Sequence, residues 1–458
     1  MRGLFFGAAI TAASLMQAAP ALADTLFGAM ERAYSTNPTL QGERAGQRAT
    51  DELVPQALSG WRPTVTFNSQ LQRDWDDTSG TAFKQRDSNS GAASITLSQP
   101  LFQGFRTIEN TRASEARVDA GRQNLLQTEQ SVLFDVVQAY MNVYAGRQLV
   151  ALQKQNVAAL RGQLNASNER FNVGEITRTD VAQSRARLAE AQSLQSNAEA
   201  NLATAVATYL QIVGKEPGKL NYPKMSKLPK TLNTALSIAG ETNPQILAVA
   251  FVEVARQHDI GVRRANLLPQ ASLDADALIT NTFGDNDPLG RNIPSNRSAS
   301  VTVNLRVPIY EAGLDYSRVR EAKQLASQSR IDVIEIGRAV RQAVAQAWNA
   351  YVAFGEIIRN RKTQVSSAQL ALSGIQQEYQ AGTRTTLDVL NAQSELVSAR
   401  TTLVNAERDR VIAAYQLLAA VGRLTARDLG LNVAIYDPEE NYNRVRNKWI
   451  GTDVKTIE

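Results

Sequence analysis

Two hydrophobic rhythms alternate along this chain, one of seven residues and one of two. The sevenfold rhythm runs through Val136, Val143, Val150, Val157, Leu164 and Phe171, and again through Val344, Tyr351, Ile358, Val365, Leu372 and Tyr379. Apolar positions at that spacing hold one seam of a helix against a neighbour along a supercoil. The stretch from Phe105 to Phe171 has no proline and is rich in Ala, Gln, Arg, Glu and Leu, all good helix formers. It predicts a helix over about 105–171, a rod of ~100 Å at 1.5 Å per residue, with a twin over about 313–379. Shorter columns through Val181, Leu188, Leu202 and Tyr209, and through Val389, Leu396, Leu403 and Leu417, predict return helices over about 178–212 and 385–421. Helices are also predicted over about 38–59 and 244–267. Stacked end to end, the helices at 38–59 and 178–212 would reach ~85 Å, close to the height of the long rod. Each half then resembles two parallel legs.

The twofold rhythm lies between those legs. Val65, Phe67 and Leu71 alternate with Thr66, Asn68, Gln70 and Gln72, and Ile95 and Leu97 with Ser94, Thr96 and Ser98. Leu273, Ala275, Ala277 and Ile279 alternate with Ser272, Asp274 and Asp276, and Val301, Val303 and Leu305 with Thr302, Asn304 and Arg306. Such alternation predicts two-faced strands, over about 61–74, 92–100, 270–281 and 299–308. A soluble sheet is the usual host for that pattern. Three features favour lipid: strands of roughly 10 residues or more can cross an outer membrane at a tilt; the aromatics Trp61, Trp75, Phe102, Phe283 and Tyr310 sit near strand ends; and Asp274, Asp276 and Arg306 suit a water-filled interior. The polar connections at about 76–91 and 282–298 are expected to be exposed loops, which puts all the helices on the opposite, periplasmic side.

The order helix, strand pair, long helix, return helix occurs twice. Phe171-Asn172-Val173-Gly174 with Asp180-Val181 returns about 208 positions later as Tyr379-Gln380-Ala381-Gly382 with Asp388-Val389. Thr36-Asn37-Pro38 returns as Thr242-Asn243-Pro244, and Gly214 as Gly422. A period this long means a duplicated half-protein rather than a stacked array. The expected division is a signal peptide at 1–23, a first repeat at 24–230, a second at 231–427, and a C-terminal belt at 428–458. The signal is read from Arg2, the apolar run Leu4 to Met16 and the Ala21-Leu22-Ala23 exit.

After that segment, no apolar run is long enough to span a bilayer as a helix, which excludes a helical inner-membrane transporter. The formal charge is +5, or +4 without Arg2, with both signs interleaved; no basic patch suits nucleic acid. With no cysteine and a single histidine, no metal site or catalytic constellation can be assembled. His258 reads as a surface residue, and Gly214-Lys215-Glu216-Pro217-Gly218-Lys219-Leu220 as a turn, since a phosphate loop needs other spacing and a terminal Ser or Thr. No enzyme and no cofactor are expected.

Four strands cannot close a barrel, and open edges in lipid leave backbone groups unpaired at several kcal/mol each. The chain must oligomerise, and three copies, with twelve strands, are the first ring that leaves room for a channel.

On the paired motifs Phe171-x-x-Gly174 with Thr179-Asp180-Val181 and Tyr379-x-x-Gly382-Thr383-Arg384-Thr385 with Asp388-Val389-Leu390, the chain resembles the TolC family of outer-membrane efflux proteins. The resemblance runs from Asn37-Pro38 to about Gly422. It implies an α+β membrane protein: a homotrimeric twelve-stranded β-barrel with four strands per protomer, continued by a long periplasmic α-helical coiled-coil barrel. It implies a passive exit channel for efflux or type I secretion, with a periplasmic adaptor and an inner-membrane pump of the RND or ABC type as partners.

The resemblance also assigns the tips of the rods. Residues matching Thr179, Asp180, Tyr379 and Arg384 hold the periplasmic mouth shut, and those matching Asp388 and Asn391 line its tightest ring. Adaptor docking falls on Val173, Gly174 and Glu175 and on Ala381, Gly382 and Thr383. Asn391 stands where a second acid is typical, Glu175 where an apolar residue is, and Ala381 where a valine is. The residues alone allow a plainer role: Gly174 and Gly382 end long helices, and Thr177-x-x-Asp180 and Thr385-x-x-Asp388 have capping-box spacing. The rival architecture is a periplasmic coiled-coil adaptor without a pore.

Overall fold

The computed structural model describes residues 25–76, 86–283 and 296–454. The expected signal peptide and the central parts of both expected loops lie outside the described residues. In chain order the elements are α1 (Leu26–Thr36), α2 (Pro38–Asp51), α3 (Leu53–Leu58), β1 (Thr64–Asp76), β2 (Arg86–Gln103), α4 (Arg106–Asn172), α5 (Arg178–Val213), α6 (Leu232–Thr242), α7 (Pro244–Arg264), β3 (Gln270–Phe283), β4 (Asn296–Arg306), α8 (Leu314–Gln380), α9 (Thr386–Ala420), α10 (Ala426–Leu429) and α11 (Pro438–Val445).

The four strands form one antiparallel sheet in chain order, with β2 joining β3 across the two halves. Its register aligns like with like. The row Val65, Leu97, Ala275, Val301 is followed by Phe67, Ile95, Ala277, Ala299, and between them runs the polar row Thr66, Thr96, Asp276, Ser300. One face is therefore mostly apolar and exposed, at Val65, Phe67, Leu71, Val301, Val303 and Leu305 among others, with Ser69, Arg73 and Arg297 sharing it toward the loop end. On the other face, Ser98 Oγ (2.5 Å), Asn304 Nδ2 (2.6 Å) and Ser272 Oγ (3.0 Å) donate to Asp274. A sheet that leaves its apolar face uncovered and organises its polar face around a carboxylate suits lipid on one side and water on the other.

The strands extend further than the alternation suggested at the loop end. Pairing runs from Thr64↔Ser98 to Asp76↔Arg86, so residues 86–91, expected in a loop, are strand. At the other end Trp61 belongs to a short 3₁₀ turn, Ser59–Trp61, rather than to β1. Pro100 is accommodated where β1 has ended and where the β2–β3 register shifts between Pro100 and Phe102.

Each strand pair hands over to its long helix through two residues at positive φ: Gly104 (59°) and Phe105 (67°) before α4, and Ala312 (50°) and Gly313 (82°) before α8. A Cβ on Gly104 would meet the Ala265 carbonyl oxygen at 2.5 Å. The duplication thus keeps a left-handed pair that aims each rod, with a glycine at one of its two positions.

Both α4 and α8 have 67 residues. Most of the heptad column lies inward: Val136, Val143, Val150 and Val157 on α4 and Val344, Ile358 and Leu372 on α8 are buried, while Leu164, Tyr351, Val365 and Tyr379 are half-buried and Phe171 at the tip is exposed. Their return helices, α5 and α9, pack on the tip-side parts of the rods. The two-leg expectation needs correction. The first leg breaks at Glu52 into α2 and α3, because Pro55 has no N–H to give to the Asp51 carbonyl. In addition, α7 packs against both long helices, through Arg117 to Asp259 (2.6 Å) and His258 Nδ1 to Glu109 Oε2 (2.7 Å) on the α4 side. His258 is therefore a half-buried partner in an interhelical pair, not a free surface group.

The main core sits at mid-height, where α1, α4, the ends of α5 and α9 and the C-terminal segment meet. Tyr140, Tyr209 and Tyr415 are fully buried there with Leu26, Met30, Leu133 and Leu424. The expected C-terminal belt comprises α10, α11 and the coil to Val454. It is fastened by Asn441 Nδ2 to the buried Asp51 carboxylate (2.8 Å) and by Arg446 to Glu115 (3.0 Å). Among the described residues no helix is long and apolar enough to cross a membrane.

Candidate functional site: the helical tips

The rods end in two turns built to one plan. Past Asn172 the chain reverses at Gly174, φ 81°, with the Glu175 N–H returning to the Arg170 carbonyl (2.9 Å). Past Gln380 it reverses at Gly382, φ 82°, with the Thr383 N–H on the Glu378 carbonyl (3.0 Å). These are Schellman closures, which need a left-handed residue and so favour glycine. The docking candidates Val173, Gly174, Glu175, Ala381, Gly382 and Thr383 form these two turns. All six are exposed.

Each return helix opens with a complete capping box. Thr177 N–H (2.9 Å) and Oγ1 (2.7 Å) donate to Asp180 Oδ2, while the Asp180 N–H donates to Thr177 Oγ1 (3.3 Å). Thr385 and Asp388 repeat this at 2.9, 2.8 and 3.3 Å. Accepting these bonds favours the charged carboxylates. Asp180 is held below the usual carboxylate range by the Thr177 side chain and then its backbone N–H. Asp388 is held low by the Thr385 backbone N–H, then its side chain, with Arg384 adding a favourable charge.

The remaining candidates are satisfied locally. Tyr379 Oη is 3.2 Å from Thr386 Oγ1, and Arg384 Nε donates to Glu378 Oε2 at 2.7 Å. Thr179 is exposed on the first turn of α5. Among the described contacts, three of the four gate candidates, Asp180, Tyr379 and Arg384, pair with neighbours rather than with one another. Asn391 Oδ1 accepts from Arg187 Nη2 (3.3 Å), so α5 and α9 are bridged next to the candidate ring.

Three tip residues escaped the sequence reading. Arg170 lies over the Tyr379 ring at 4.5 Å and ties the two rods together, while also approaching Glu175 at 3.6 Å. Glu378 occupies the equivalent place in the second copy and anchors Arg384 with reversed charge. That Arg-for-Glu swap at matched positions was a readable signal. Arg187 was not, because its contact with Asn391 exists only once α5 and α9 are side by side.

Comparison with known proteins places this architecture. The sequence profile of the family described as outer membrane efflux protein matches residues 29–215 and 235–423, one match to each half. The chain is 39% identical over 449 residues to the outer membrane efflux protein BepC of Brucella suis, covering 98% of this chain and 96% of that one. It is 27% identical over 443 residues to the outer membrane protein TolC of Escherichia coli, covering 91% and 86%. Among solved structures, the Campylobacter jejuni CmeC outer membrane channel superposes with a TM-score of 0.77 at 16% identity, over 92% of this chain and 89% of that chain. These likenesses set aside the pore-less adaptor architecture. By its duplicated halves, its strands and its rods, the chain belongs to the outer membrane efflux protein family, whose members are non-enzymatic channels of the outer membrane.

Proposed function

We propose that three copies of this chain close a twelve-stranded barrel and continue it as a tunnel of coiled-coil helices into the periplasm. Through that tunnel a periplasmic adaptor and an inner-membrane pump, of the RND or ABC type, drive drugs, toxic compounds or proteins outward. The observation that carries this reading is the sheet: β1 and β4 each have one partner, the apolar face is bare, and every long helix leaves from the same end. Open edges are untenable in lipid, and eight strands would be filled by their own side chains.

The tips form the gate. Around a threefold axis, three copies of Asp388 and Asn391 ring the mouth, with Thr179, Asp180, Tyr379 and Arg384 setting how tightly the α8–α9 pair is held against α4–α5. Arg170 stacked on Tyr379 and Glu378 paired with Arg384 support this, since both contacts fix the inner tip. The turns at Gly174 and Gly382 offer adaptor docking, with Glu175 giving one of them a charge. Single-channel recording in planar bilayers tests the reading. Arg384→Ala or Tyr379→Phe should raise conductance several-fold, and Asp388→Ala should lower cation preference. Unchanged conductance in both tip variants would refute the gate, and unchanged selectivity would leave Asp388 as a helix cap alone.

A further inference from the structure

The described part of the C-terminal segment passes beside the entry to the first membrane strand. Arg62, two residues before β1, donates from Nη1 to the Lys448 carbonyl at 2.9 Å, and its guanidinium lies 4.8 Å from the Trp449 ring centre. The chain reaches that point from mid-height. α11 is clamped to α2 by Asn441 on the fully buried Asp51, whose carboxyl burial pushes above its usual range. Tyr442 and Arg446 hold Glu115 on α4. Beyond the clamp, Trp449 is 66% exposed and Ile450 90% exposed, with Val454 also bare. Lys448 pairs with Asp453 at 2.7 Å, which curls this stretch back on itself. A buried carboxylate and two interhelical contacts are thus spent on presenting an uncovered indole and isoleucine.

What covers them follows from their surroundings. Arg62, which holds Lys448 and Trp449, stands between the half-exposed Trp61 and the start of β1, whose exposed apolar residues begin at Val65 and Phe67. Arg62 lies against the Trp449 ring, and Lys448 and Arg446 precede it in the chain, paired with Asp453 and Glu115. An indole with its N–H, stacked by the Arg62 guanidinium at the foot of a lipid-facing sheet, has the chemistry of a bilayer interface, where such a ring sits at headgroup depth. We propose that the segment 448–454 is an interfacial anchor that lies in the periplasmic leaflet of the outer membrane. Trp449 and Ile450 enter among phospholipid headgroups and the first acyl carbons, and fix the height of the barrel. This rests on the outer-membrane placement of the strands and adds a second point of lipid contact outside them.

The test uses the four tryptophans of the chain, Trp61, Trp75, Trp348 and Trp449. The full-length protein carrying Trp61→Phe, Trp75→Phe and Trp348→Phe is reconstituted into phosphatidylethanolamine–phosphatidylglycerol vesicles brominated at shallow or deep acyl positions. Shallow bromines should quench Trp449 emission roughly twofold and deep ones less, while aqueous acrylamide should have little effect. Quenching by acrylamide alone would put the segment in water. Quenching by neither would put it against a second copy of the chain; either result overturns the anchor. The otherwise native chain compared with its Trp449→Phe variant gives the same answer by subtraction, as loss of a lipid-quenchable fraction. Conductance of the same vesicles reports the channel separately, so a working channel without lipid quenching rejects the anchor and leaves the channel reading standing.

Discussion

Asn37 and Asn243 show how single side chains carry this fold. Each caps a helix, its Oδ1 accepting from the second and third N–H groups beyond it: Thr39 and Leu40 in one copy, Gln245 and Ile246 in the other. The Nδ2 of each donates to the last turn of a return helix, to Ile212 and to Ala420. The following proline suits the first helical position, where its missing N–H is no loss. Asn243→Ala should cost about 1–2 kcal/mol, the usual worth of such a cap, and remove the donor to the half-buried Ala420 carbonyl; thermal denaturation of the detergent-solubilised protein would show it as a lowered midpoint, whereas an unchanged midpoint would contradict the double role. The tip acids obey the opposite pH rule to a histidine latch. Asp180 and Asp388 have depressed folded values, so their contribution is complete above the ordinary Asp value of about 3.9 and is lost as pH falls through the lower folded value. Amide exchange at residues 173–181 and 381–389, corrected for intrinsic rate, should stay flat from pH 8 to about 5 and rise only below about 4. Loss of protection near pH 6 would contradict the capping geometry.

At the scale of elements, most of the architecture was legible because its signals are periodic. The column from Val136 to Phe171 placed α4, and Leu273, Ala275, Ala277 and Ile279 placed β3, since a seam and a face each impose a fixed repeat. What was missed depends on pairing between segments. Ser88, Asn89, Ser90 and Gly91 have turn composition yet continue β2, because β1 offers partners up to Asp76; pairing overrode local preference. The division of the first leg at Glu52 was readable from Pro55, but the position of α7 between two rods was not. Its apolar residues announce a buried stripe without naming the neighbour. The same limit applied to the site. Gly174, Gly382, Asp180 and Asp388 were visible as turn and cap chemistry, whereas the Arg170–Tyr379 stack joins residues of two different rods.

At the scale of the whole molecule, a single chain presents unfinished surfaces: two sheet edges, a bare apolar face above, and rods with a buried heptad column and many exposed positions below. The sheet cannot rest in lipid until its edges meet others, and the rods then stand around a common axis because they all leave from one end of it. One requirement, closing the edges, thereby sets barrel and tunnel together. Native mass spectrometry of the particle extracted from the outer membrane in mild detergent tests this most directly. The account predicts a mass of three chains that persists until heating, while a stable particle of one or two chains would contradict it.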